Sequence, residues 1–201
     1  MAILLLDTAS SKHLLALLNE EKTSVFKSLP LLGDTGLIST LEEALKEAGW
    51  EYRDLTHIAC VIGPGGFASI RTGITAANTL AYALGIPLAG VHLSELWKWR
   101  IFGKLPANYW IHSTKKNLLF VRGFGEYEKK FSEAALISLD DAKNLEGEYV
   151  GELIEEHIVA LPGLTPLSEK EISPLTEVLP SFLKSLSYGK TPLVPWYGRE
   201  P

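Results

Sequence analysis

A single cysteine, Cys60, is all the thiol chemistry this chain holds, which excludes an internal disulfide framework and a cysteine-rich metal site. It lies inside the apolar run His57-Ile58-Ala59-Cys60-Val61-Ile62 and reads as a core thiol. Basic charge is scarce as well: 19 Lys and Arg stand against 24 Asp and Glu, for a net charge of -5. Broad nucleic-acid surfaces need clustered Lys and Arg to neutralise phosphates, so any contact with RNA is expected to run through a partner. A basic leader followed by an apolar stretch is missing from the start of the chain, so no signal or transit peptide is expected and the cytoplasm is the expected location. The apolar stretch 74–91 is interrupted by Thr75, Asn78 and Thr79 and broken at Gly85-Ile86-Pro87, so no membrane role is expected. The five histidines, at 13, 57, 92, 112 and 157, form no i, i+4 pair, and Ser69 follows no nucleophile-elbow pattern. Neither a metal site nor a hydrolase triad is therefore expected.

What is present is the composition of a globular protein: 201 residues, 46% hydrophobic and 21% charged, enough for one sizeable domain or two small lobes. Ile3–Leu6, His13–Asn19 and Thr23–Leu29 are short apolar or alternating runs that predict a three-stranded meander. Thr35–Ala48 carries apolar residues at helical spacing and stops at Gly49. A strand over His57–Ile62, a Gly-rich turn at 63–66, a helix to Leu84 and a strand over Leu88–Val91 complete a β-β-β-α-β-α-β order. A second set begins with strands at Asn108–Ser113, Leu118–Gly123 and Tyr127–Phe131. Shorter helical pieces follow at Asp140–Leu145, Gly151–His157 and Pro174–Ser187, and a proline-extended tail runs from Thr191 to Tyr197. The order resembles the first half, so two lobes are expected, residues 1–100 and 101–201, with the boundary near 97–107.

Charge is nearly absent from one long segment. Between Leu55 and Ser94 the one formally charged side chain is Arg71. Within that segment Phe67, Ile70, Ile74, Ala77, Ala81 and Leu84 fall on one helical stripe suited to the chain's own sheet. The opposite side offers Ala68, Thr72, Thr75, Thr79 and Tyr82, where an exposed helix normally carries Lys and Glu. Two readings stand: the second lobe of the same chain covers this side, or another chain does, with Phe67 and Tyr82 as aromatic anchors. The turn Gly63-Pro64-Gly65-Gly66 is either an anion cradle or a tight strand-to-helix turn, since it lacks both the Walker and the dinucleotide spacing. Asp7-Thr8-Ala9-Ser10-Ser11 is either a phosphate- or magnesium-contacting turn or an Asx turn that satisfies its own backbone.

The run Ile3-Leu4-Leu5-Leu6-Asp7-Thr8-Ala9-Ser10, then Gly63-Pro64-Gly65-Gly66-Phe67 through Arg71-x-Gly73, resembles the bacterial TsaB (YeaZ) family. The tail Pro195-Trp196-Tyr197-Gly198-Arg199 is similar to that family's Pro-x-Tyr-x-Arg ending. The resemblance implies an α/β, two-lobed ASKHA fold of actin-like lobes, here with a reduced second lobe. It implies a non-catalytic partner in making N6-threonylcarbamoyladenosine at position 37 of tRNA, bound to TsaD and working with the ATPase TsaE and the threonylcarbamoyl-AMP synthase. A homodimer that competes with the heterodimer is also implied, with tRNA reached only through the complex. The implied partner interface is Phe67, Ala68, Arg71, Thr72, Thr75, Thr79 and Tyr82. No stably held cofactor is implied for this chain alone; ATP or ADP is the candidate for the complex interface, through Asp7, Thr8, Gly63, Gly65 and Gly66. The usual Gly-Pro-Gly-Ser-Phe-Thr-Gly becomes Gly-Pro-Gly-Gly-Phe-Ala-Ser here, and His112-Ser113-Thr114 stands where Asp-Ala-Arg is usual. The usual helix-start histidine corresponds to Asp34. The alternatives are a small ATP-dependent phosphotransferase of the same fold class, with Asp7 beside magnesium, and a stand-alone homodimer.

Overall fold

In a computed structural model of the chain, described for residues 1–19, 23–29, 36–101, 107–114 and 117–198, two five-stranded sheets repeat one topology. The first contains β1 (Ile3–Asp7), β2 (Leu14–Leu18), β3 (Thr23–Ser28), β4 (His57–Gly63) and β5 (Leu88–His92), in the order β3-β2-β1-β4-β5. β1 to β3 run antiparallel, and β4 and β5 extend the sheet in parallel from β1. The second contains β6 (Tyr109–Ser113), β7 (Leu118–Gly123), β8 (Ala135–Ser138), β9 (Gly147–Glu152) and β10 (Leu164–Pro166), in the order β10-β9-β6-β7-β8. Read from β8, that order is the first sheet again: an antiparallel meander with two parallel strands added to its first strand. This is the two-lobed α/β arrangement of the ASKHA fold.

Burial explains the sequence pattern. β1 and β2 lie at and beside the sheet centre and are buried on both faces, so they read as unbroken Leu-rich runs, whereas edge strand β3 alternates. The helices are α1 (Gly36–Ala48), α2 (Phe67–Leu84), α3 (Leu93–Ile101), α4 (Leu139–Ala142), α5 (Glu155–Ala160) and α6 (Leu175–Lys184). α2 packs on β4 and stops at Gly85, whose φ of 67° gives a left-handed cap. Cys60 is fully buried, and burial pushes its thiol pKa up, as suits a core residue.

Several expectations need correction. The chain divides at Leu93, and Leu175–Tyr197 returns to the first unit, so the C-terminal helix and tail do not belong to a second lobe over 101–201. Packing gives the reason. α6 buries Leu179, Phe182 and Leu183 and lies against β3, while Gly189 forms a two-way backbone bridge with Leu88 on the exposed edge of β5. Asn78 on α2 then holds Leu193 by both backbone groups, at 3.0 and 2.9 Å, and the Trp196 N–H donates to the Ile62 carbonyl at 2.8 Å.

In the second unit, the strand expected at Tyr127–Phe131 is instead a 3-10 turn over Gly125–Lys129, and the third strand is β8. Gly151 lies in strand β9 rather than opening a helix, and α3 occupies part of the expected linker. The second sheet is not reduced in strand number; the economy is in its helices, four and six residues long for α4 and α5. Its core is Tyr109, Ile111, Leu119, Val121, Tyr149 and Leu161 with their neighbours. Asp34 and Arg199 lie outside the described residues.

Candidate functional site

β1 and β4 deliver two loops to the same end of the first sheet, because parallel strands place their C-terminal turns side by side. Asp7 ends β1 and is only 2% exposed. Its Oδ1 accepts the N–H groups of Ala9 at 2.9 Å and Ser10 at 3.0 Å, the Asx-turn geometry. Burial raises the Asp7 pKa, with the hydrogen bonds from Ser10 and Ala9 opposing that shift. Thr8 donates from Oγ1 to the Ser69 carbonyl at 2.7 Å, tying the first turn to the start of α2. Gly65 presses against the backbone of Ala9, where a Cβ would collide with its carbonyl. Asp7, Thr8, Gly63 and Gly65 are thus brought together, with the carboxylate oxygen engaged by its own turn. Gly66 is the N-cap of α2 and has no side chain to cap with, which is the structural meaning of the hydroxyl missing from that position.

All seven residues expected at a partner interface are exposed along α2: Phe67, Ala68, Arg71, Thr72, Thr75, Thr79 and Tyr82. Tyr82 is 91% exposed and Phe67 58%. Phe67 therefore departs from the apolar stripe assigned to it and faces outward. The buried stripe is Ile70, Gly73, Ile74, Ala77 and Ala81, with Gly73 taking the contact against Thr8 where only a residue without Cβ fits. Phe67 is instead organised by Arg71, already expected at the interface, and by Tyr197, which sequence reading left out of the site. Its ring stacks on Tyr197 with centroids 5.4 Å apart, and the Arg71 guanidinium sits 3.7 Å from its centroid. Arg71 Nε donates to the Tyr197 hydroxyl at 3.0 Å. The signal for Tyr197 lay in the Pro-Trp-Tyr tail. The signal for its anchor, Asn78, was a lone amide on an otherwise small and apolar helix.

His112 in the second unit is 7% exposed, stacks nearly parallel on Trp110 and has Glu152 Oε2 3.9 Å from Nδ1, beyond hydrogen-bond reach. Burial drives its pKa down to about 4. The folded-state value therefore lies below that of the unfolded chain, so the neutral ring is the stable form and stability is lost as pH falls from about 6.5 towards 4. The full loss is about 3 kcal/mol. Urea midpoints at neutral and acidic pH should differ more in the native protein than in His112→Phe; equal differences would refute the assignment.

Among the described residues, no group of three His, Cys, Asp or Glu side chains comes together to hold a metal ion. No helix among them is long and apolar enough to cross a membrane.

Three comparisons bear on this geometry. A family model described as TsaD, tRNA N6-adenosine threonylcarbamoyltransferase, matches residues 35–156. Curated relatives with that same description include one from Clostridioides difficile, 35% identical over 44% of this chain and 28% of the relative. One from Shouchella clausii is 46% identical over 27% of this chain and 16% of the relative. The match thus spans under a third of the length of these relatives. Among solved structures, YeaZ from Pseudomonas aeruginosa superposes with a TM-score of 0.69 at 17% identity, covering 98% of this chain and 99% of that one. A second P. aeruginosa protein, described as similar to peptidase YEAZ, gives a TM-score of 0.71 at 19% identity with the same coverage. With the family model extending over well more than half its residues, the chain belongs to the TsaD family, tRNA N6-adenosine threonylcarbamoyltransferase, and carries that relationship on a YeaZ-like two-lobed fold.

Proposed function

We propose that this chain is a TsaB-type accessory subunit in the formation of N6-threonylcarbamoyladenosine on tRNA, and that it acts by binding TsaD through the exposed face of α2. The observation that carries this reading is an 18-residue helix whose outward side presents Phe67, Ala68, Thr72, Thr75, Thr79 and Tyr82 and a single charge, Arg71. Such a face suits close approach by another helix. Further support comes from the five histidines, which form no i, i+4 pair and so leave the metal-binding helix histidines of the catalytic paralogue without a counterpart here. The chain works in the cytoplasm, reaches tRNA only through the complex with TsaD and TsaE, and supplies no reacting group. ATP or ADP binds at the complex interface rather than to the free chain.

Purified TsaD, TsaE and the threonylcarbamoyl-AMP synthase are expected to make the modified nucleoside only when this chain is added. Equal yield without it would refute the reading. Tight ATP binding by the isolated chain in calorimetry would favour a phosphotransferase instead; the engaged Oδ1 of Asp7 argues against that outcome.

A further inference from the structure

Resting on that reading of the α2 face, we propose that Arg71 is its specificity-determining residue: a guanidinium pre-set by the C-terminal strap, the tail from Thr191 to Tyr197, to receive one carboxylate from the partner polypeptide. Arg71 is exposed, and it is the one formal charge between Leu55 and Ser94. A free arginine side chain samples many rotamers, and fixing them opposes binding. Here much of that ordering exists beforehand. Nε is taken by the Tyr197 hydroxyl at 3.0 Å, and the guanidinium plane rests on Phe67, which itself stacks on Tyr197. Tyr197 is held in turn by the strap, through Trp196 on Ile62 and Leu193 on Asn78.

Among the described residues Arg71 pairs with no carboxylate. A guanidinium with Nε engaged keeps its two terminal nitrogens for the paired geometry that a carboxylate fits. The surroundings choose the source. An RNA backbone would need several cations across the surface, and this face has one among small and apolar residues. A helix carrying a single acidic residue among small or apolar neighbours matches it in charge and shape. A wrong partner lacking that acid would bury Arg71 unpaired, and a buried charge without its counterpart is strongly unfavourable.

The test is affinity for the cognate TsaD measured by calorimetry, with folding of each variant checked by circular dichroism. Arg71→Ala is expected to weaken binding on the order of tenfold to a hundredfold, and Arg71→Lys to recover only part of it, because an ammonium lacks the planar fork. Tyr197→Phe, which keeps the ring and removes the hydroxyl, is expected to weaken binding about threefold to tenfold. The loss from Arg71→Ala should shrink from roughly 0.05 M to about 0.5 M NaCl as screening increases. Thr79→Glu, two helical turns from Arg71, is the control for the face itself. If Thr79→Glu abolishes binding while Arg71→Ala changes nothing, this inference falls and the face reading stands. If neither matters, both fall. Loss of self-association in sedimentation with unchanged TsaD affinity would assign the acid to a second copy and overturn the proposal. So would an Arg71 effect that appears only when inorganic phosphate is present.

Discussion

Thr75→Glu is expected to reduce binding to TsaD by at least about a hundredfold, because enclosing an uncompensated carboxylate in a helix-to-helix contact costs several kcal/mol and each 1.4 kcal/mol is about tenfold. Thr75 is exposed midway along α2, so the free chain should tolerate the change with its melting temperature shifted by little. One complication is built into the helix. Residue 75 stands one turn beyond Arg71, within reach of its guanidinium at i, i+4 spacing. Part of the loss at Thr75→Glu would therefore come from occupying Arg71. Thr79→Glu lies a turn further on and carries only the desolvation penalty, so the pair of variants separates the two effects. Binding unchanged in both, by pull-down and calorimetry, would remove α2 from the interface.

The sequence made the first lobe legible because its signals are local. Leu-rich runs mark central strands β1 and β2, and Gly85 marks the end of α2 where a left-handed residue is required. The phase of the α2 stripe was less accessible: Gly73 carries no hydrophobic signal, yet it is the residue pressed against Thr8, and this rotates Phe67 out to solvent. In the second unit, β9 contributes only Tyr149 and Val150 as buried positions, too short an alternation to stand apart from a helix. β8 is intermediate in burial at all four residues and announced itself no better. The site was half legible. The exposed residues of α2 followed from their missing charge, but the contact between Arg71 and Tyr197 joins positions 126 apart in sequence, and no periodicity reports such a pairing.

Gly63→Ala should have the largest effect on stability, and it tests whether the strap and the α2 face are one structure. Gly63 has φ of 137°, a conformation that residues with a Cβ rarely adopt, and a methyl group there would run into the Trp196 carbonyl oxygen. Backbone strain and collision together are expected to cost about 3 kcal/mol, a fall in melting temperature of roughly 5–10 °C. Gly85→Ala provides the comparison, because Gly85 also has positive φ, at 67°, but a Cβ added there would meet nothing within 4 Å. Strain alone should then cost about 1 kcal/mol. The difference between the two variants combines the collision with Trp196 and the greater backbone strain at a φ of 137°. Relief of that collision requires Trp196 to withdraw from Ile62, and Tyr197 follows it in the chain, leaving Arg71 without its hydroxyl partner. Gly63→Ala should accordingly lose affinity for TsaD as Tyr197→Phe does, whereas Gly85→Ala should keep it at temperatures where both proteins are folded. Retained affinity in Gly63→Ala alongside its lower melting temperature would show the strap to be a fastening of the first lobe with no hand in the partner surface.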